Sequence, residues 1–198
     1  MKKIMTTTLA ALSMIAFAQA QEIGEKAPSF TGKTLQGEKV SLSDLKGKVV
    51  VLEWVNFGCP FVKKHYASGN MGELQEKYTG KNVVWLTICS SAKGKQGYLE
   101  ADAQAKKAEE MGNKATHFIA DTDGVMGKAY GAKVTPHMFV IDATGKLVYD
   151  GAMDSIKSTD VDDIEKAEPL LANAVDEVLA GNEVEEAKNK PYGCGVKY

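Results

Sequence analysis

The sequence contains no arginine: all 24 of its basic residues are lysine. An ammonium does not replace a planar, two-donor guanidinium, so any mechanism that needs one is excluded. Only three cysteines occur, Cys59, Cys89 and Cys194, and no two of them form a C-x-x-C pair. Position 62, where a second sulfur would complete that motif with Cys59, is valine. No apolar run reaches the roughly 20 residues that span a bilayer, so no stable membrane anchor is expected. No basic stripe with interleaved aromatics marks a nucleic-acid surface. Neither C-x-x-C nor H-x-x-x-H spacing points to a metal, and no cofactor is expected.

What is present begins with a processing signal. Lys2 and Lys3 form a basic start, Leu9 to Phe17 is mostly apolar, and Ala18-Gln19-Ala20 offers small residues at the two positions a signal peptidase reads. Residues 1–20 are therefore expected to be a signal peptide, and no cysteine follows the cleavage point to take a lipid. Export to the periplasm or beyond is the implied location. Loss of the two lysines moves the net charge from −2 to −4, and the 178 residues left suit one domain with a proper core. Outside the cytoplasm disulfides persist, so the three thiols are potential redox groups, and their odd number leaves at least one without an internal partner.

Along the mature chain, turn residues and short apolar pieces between Gly24 and Lys48 predict a small hairpin and a helical turn near Ser43 to Leu45. "VVVLEWV", Val49 to Val55, and "VVWLTIC", Val83 to Cys89, read as buried strands. A helix is expected from Pro60, broken around Ser68-Gly69-Asn70 and resumed to Tyr78, which makes a strand–helix–strand unit with parallel strands. A helix over roughly Leu99 to Met111, the strand "HFIAD", a short helix from Val125 to Tyr130, and the antiparallel hairpin "HMFVID"/"KLVYDG" follow. The turn "DTDG", Asp121 to Gly124, lacks the rest of a calcium loop and reads as a helix cap. Apolar residues at Ile164, Ala167, Leu171, Val175 and Val178 predict one helix face that Pro169 kinks or restarts. The expected organisation is a domain over 21–181 and a polar tail over 182–198 that carries Cys194.

Cys59 lies between Gly58 and Pro60 at the seam of a strand and a helix. With Pro60 in the first helical position, the thiol falls at the N-cap, where free N–H groups and the helix dipole favour negative charge. Lys63, four residues on, shares that face and adds a cation. A depressed pKa and a nucleophilic thiolate are the expectation. The second sulfur is open between two candidates. Cys194 sits in "YGCGV", with glycines on both sides and a tail long enough to reach Cys59. Cys89 ends the neighbouring strand at the same sheet edge, although a small buried core residue is the simpler reading there. Lys63-Lys64 and His65 are expected on a solvated helix face, and His137 either near the thiolate or in a structural hydrogen bond.

The order of these elements, "GCP" at the seam, "YGAKVTPHMFVID" about 70 residues later and the closing hairpin resemble the thioredoxin superfamily. Within it, they are similar to the redoxin branch, also called the alkyl hydroperoxide reductase/thiol-specific antioxidant family. "NFGCPFVKKHY" and "PYGCGVKY" resemble an exported, peroxiredoxin-like subgroup. The resemblance implies an α/β thioredoxin-like fold: a central mixed β-sheet flanked by helices, with an N-terminal β-hairpin extension. It also implies a cis Thr135-Pro136 bond whose Thr135 backbone holds a substrate chain beside Cys59. Peroxiredoxins carry Thr or Ser three residues before the reactive cysteine and an activating arginine; here position 56 is Asn, and arginine is absent.

The expected activity is thiol–disulfide exchange. Cys59 attacks a substrate disulfide and Cys194 resolves it, with protein or small-molecule thiols and an outside electron donor as partners. A thiol peroxidase using the same sulfurs, and a non-catalytic binding module fastened by a Cys59–Cys194 bond, are the alternatives.

Overall fold

A computed structural model describes residues 22–198, so the expected signal peptide lies outside the described residues. The strands are β1 (Thr31–Lys33), β2 (Lys39–Ser41), β3 (Val50–Trp54), β4 (Val84–Cys89), β5 (His117–Ala120), β6 (Val134–Thr135), β7 (His137–Ile141), β8 (Leu147–Gly151) and β9 (Cys194–Gly195). The helices are α1 (Pro60–Ala67), α2 (Asn70–Thr79), α3 (Ala101–Glu110), α4 (Val125–Tyr130) and α5 (Leu170–Leu179). The central sheet runs β5-β4-β3-β7-β8. Its first three strands are parallel, while β7 and β8 run antiparallel to their neighbours. The mixed thioredoxin-like sheet and the β1–β2 hairpin match the expected fold class.

Strands that read as continuous apolar runs still divide their side chains between two faces, because successive residues point opposite ways. Val50, Leu52 and Trp54 enter one core with Leu86, Ile88, Phe139 and Tyr130 of α4. Val51 and Val55 enter the other, with Trp85, Val140 and the buried sides of α1, α2 and α5. The expected Ile164–Val178 helix is shorter than its periodicity suggested. Pro169 occupies the N-cap of α5, and only Val161–Asp163 before it forms a 3-10 turn. A proline ring cannot sit inside a continuing helix without losing a hydrogen bond, so the helix restarts there.

The second core encloses an acid deep against the sheet. Glu53 is fully buried, and its carboxylate accepts hydrogen bonds from Tyr66 Oη (2.8 Å), Trp85 Nε1 (2.8 Å), Gln75 Nε2 (2.9 Å) and Thr87 Oγ1 (3.1 Å). The network ties β3 and β4 to α1 and α2, so it sets the angle at which α1 leaves the sheet. Burial is the largest influence on Glu53 and raises its pKa above the ordinary 4.5, against the lowering effect of the four donors. A raised folded-state pKa means the folded chain binds the proton more tightly. Its contribution to stability is complete below about pH 4.5 and is lost as pH rises through the folded-state value. Glu53→Gln removes that titration. The stability of wild type relative to E53Q, read from urea midpoints, is expected to fall as pH is raised from acidic to neutral; a pH-independent difference would contradict it.

Candidate redox site

The end of β3 delivers the chain to Asn56, which builds the loop before α1. Its side-chain oxygen accepts from Gly58 N (2.8 Å), and its amide donates to Gln96 O (3.0 Å) and Ser91 Oγ (3.3 Å). Cys59 is the N-cap residue of α1, with Pro60 in the first turn. Its thiol donates to the carbonyl of Thr135 at 3.0 Å. The Thr135-Pro136 bond is cis. Thr135 also pairs with the tail: β9 runs antiparallel to β6, with Thr135 opposite Cys194 and Val134 opposite Gly195. Both cysteines thus meet at Thr135, and with Cys89 they are unbonded.

Burial by itself would raise the pKa of Cys59, but hydrogen bonds outweigh it. They come from the Cys194 thiol, the backbone N–H of Val62, the Thr135 side chain and the Cys194 backbone, and together they hold Cys59 below the ordinary 9.0. Cys194 moves the other way: burial, then the hydrogen bond and charge of Cys59, push it up to about 11, with Lys197 opposing. One sulfur of the pair is thus the better thiolate and leaving group, and the other the more basic thiol.

Other expected site residues fall elsewhere. Lys63 is exposed and is not among the groups that lower Cys59; the helix N-terminus and the tail do that work through hydrogen bonds. Lys64 and His65, expected on a solvated face, are buried. The reason is that α1 is enclosed by the sheet on one flank and by residues 153–156 and the tail on another. Burial lowers the His65 pKa to about 4, so the ring is neutral at neutral pH. His137 is in structural hydrogen bonds, accepting from Lys133 N (3.2 Å) and bonded to Asp150 Oδ1 (2.8 Å). Cys89 is buried at the end of β4 and makes a long hydrogen bond to Gly97 O (3.9 Å), while burial raises its pKa. Asp121 accepts from Met126 N and Gly127 N and caps α4. Among the described residues, no cluster of three His, Cys, Asp or Glu side chains is placed to hold a metal.

Most of what fastens the tail had no local signature in the sequence. Asp154 pairs with Lys64 Nζ at 3.2 Å and accepts from Ile156 N (3.1 Å) and from the hydroxyl of Tyr192, two residues before Cys194. Tyr192 also packs edge-on against Phe61 of α1, ring centroids 5.7 Å apart. Further along, Val196 N donates to Lys133 O (3.0 Å), and Tyr198 Oη donates to Ala132 O (2.8 Å). Gly193 adopts φ +142°, and a Cβ there would run into the carbonyl of Thr135. Only glycine lets the tail lie this close to the cis-proline turn. The "YGCG" pattern was the available signal for this fit, while Asp154 lay in an unremarkable "GAMDS" loop.

Two variants test this arrangement. Gly193→Ala is expected to lift the tail and speed alkylation of Cys59 in the reduced protein by about tenfold, since about 1.4 kcal/mol of lost docking corresponds to that factor. Asp154→Asn leaves Lys64 buried without its counter-charge. It is expected to cost about 3 kcal/mol in urea unfolding and to increase proteolysis within residues 182–198.

The Redoxin family matches residues 22–167. The thiol-disulfide oxidoreductase ResA of Bacillus thuringiensis subsp. konkukian is 30% identical over 130 residues, which cover 66% of this chain and 69% of that protein. A crystal structure of an uncharacterized conserved protein from Geobacillus kaustophilus superposes with a TM-score of 0.77 at 26% identity, covering 89% of this chain and 92% of that one. The thioredoxin domain of a thiol-disulfide oxidoreductase from Bacteroides vulgatus shares the fold, with a TM-score of 0.54 at 22% identity over 74% of this chain and 98% of that one. With its thioredoxin-like sheet and its thiol at the N-cap of α1, the chain is an oxidoreductase that belongs to the redoxin family.

Proposed function

We propose that this is an exported thiol–disulfide oxidoreductase whose Cys59 and Cys194 interconvert between dithiol and disulfide. The observation that carries the reading is the meeting of both cysteines at Thr135, whose carbonyl accepts from the Cys59 thiol and whose position in β6 pairs with Cys194, with the pKa of Cys59 lowered and that of Cys194 raised. Cys59 supplies a thiolate held by the first turn of α1, and Cys194 supplies the second sulfur that Val62 does not. The partners are protein or small-molecule thiols and disulfides together with an outside electron donor. The relative named as a thiol-disulfide oxidoreductase supports the reaction class. The basic start, apolar stretch and Ala18-Gln19-Ala20 support export into a compartment where a disulfide persists.

Peroxide reduction by the same sulfurs is less well supported. The chain has no arginine, and the amide of Asn56, which stands where a hydroxyl residue would be needed, is committed to Ser91 and Gln96. A purely structural bond is separated from a catalytic one by its potential. A structural disulfide lies below about −300 mV and a catalytic one well above it.

Non-reducing peptide mapping of the mature protein is expected to find a Cys59–Cys194 disulfide with Cys89 as a free thiol, titrating above about −300 mV. Cys59→Ser and Cys194→Ser are each expected to abolish catalysed exchange in an insulin-reduction or dithiol-oxidation assay. A Cys59 that stays an unreactive thiol throughout the titration would end the exchange reading. Cys194→Ala also removes the strongest donor to the Cys59 thiolate. Thiolate absorbance of Cys59 should then appear at higher pH than in wild type.

A further inference from the structure

The expected sequence of events, with Cys59 as the sulfur that meets the outside partner, conflicts with where the tail lies. Cys59 has 0% of its surface exposed. The Thr135 edge, where a partner's extended chain would pair, is filled by β9. The tail has no slack at this point: Tyr192 is held by Asp154 and Phe61 on one side of Cys194, and Val196 is held by Lys133 on the other. Cys194 itself is only partly buried.

From this geometry, and resting on the proposed Cys59–Cys194 exchange, we infer that outside thiols enter the oxidised protein at Cys194 and that Cys59 is the inner, leaving sulfur. The tail thus serves as a built-in occupant of the substrate groove that presents its own sulfur to the partner. An outside thiolate attacks Sγ of Cys194, the Cys59–Cys194 bond breaks, and its electron pair departs on Cys59 as a thiolate. The partner's second thiol, deprotonated, attacks the partner sulfur of the mixed disulfide. Cys194 leaves as a thiolate and takes up a proton. The outside dithiol is oxidised to a disulfide, one of its two protons passing to Cys194 and the other to solvent, and the pair is reduced to the Cys59 thiolate and the Cys194 thiol.

Leaving-group chemistry points the same way as access. The sulfur with the lower pKa leaves faster, and hydrogen bonds hold Cys59 low while Cys194 is raised to about 11. Lys197 places a positive charge near Cys194, which favours an incoming thiolate there. The substrate class that follows is a dithiol able to reach a partly exposed sulfur on a strand edge already in use, so it needs no extended segment to pair with Thr135.

The test uses the full-length mature wild-type protein, oxidised and mapped, then mixed briefly with reduced glutathione. Samples are quenched in acid, alkylated, and read by mass spectrometry for which cysteine carries glutathione and which the alkyl group. Extrapolated to zero time, glutathione on Cys194 with alkylated Cys59 is expected to exceed the reverse pattern by roughly tenfold or more. Glutathione on Cys59, or an equal split, overturns the inference while leaving the exchange reading intact. Absence of any Cys59–Cys194 bond in the oxidised protein overturns both.

Discussion

Thr135 uses its backbone in two directions at once. Its carbonyl receives the thiol of Cys59, and its strand pairs with Cys194. The bond to Pro136, which separates β6 from β7, is cis. Everything else at the site depends on this junction. The first turn of α1 stabilises a thiolate only if something holds the sulfur against it. The tail reaches the same sulfur only because Gly193 passes the Thr135 carbonyl without a side chain.

The scaffold keeps this junction in register through two buried polar groups on opposite flanks of α1. Glu53 gathers donors from α1, α2 and β4 beneath the helix. Asp154 joins Lys64 of α1 to Tyr192 of the tail above it. Buried charges cost desolvation free energy and persist where partners satisfy them, and both carboxylates are satisfied by several donors. The first fixes the helix to the sheet, and the second fixes the tail to the helix. Side chains that touch neither sulfur therefore help to hold the helix and the tail where the cysteines meet.

How much of this was legible in the sequence follows from the range of the forces involved. The strand at Val49–Val55, the break at Gly69, the short helix at Val125 and the closing hairpin are written in local periodicity and turn residues, and the fold agrees with them. Cys59 stood out because a proline in the first helical position marks it as the N-cap, and the Thr135-Pro136 step stood out through the resemblance to the thioredoxin superfamily. Lys64 and His65 were misplaced because an eight-residue helix enclosed on more than one flank has no solvated stripe, and enclosure by a distant tail leaves no local pattern. Asp154 was invisible for the same reason: its partners come from 90 residues before it and 38 after it.

A pair of cysteines in one helical turn is held together by the covalent chain, whereas here 135 residues separate the two sulfurs, and their proximity is created by docking of the tail. In the proposed exchange, the effective concentration of Cys194 at Cys59 is thus a folding quantity, set by Tyr192, Gly193, Val196 and Tyr198 rather than by bond lengths. Each kilocalorie of tail docking lost lowers that concentration, and the disulfide becomes correspondingly easier to reduce. A C-x-x-C motif fixes its potential mainly through the helix that contains it. In the proposed couple the same control passes to the tail, so a change at Asp154, which binds Tyr192 rather than either sulfur, is expected to shift the potential.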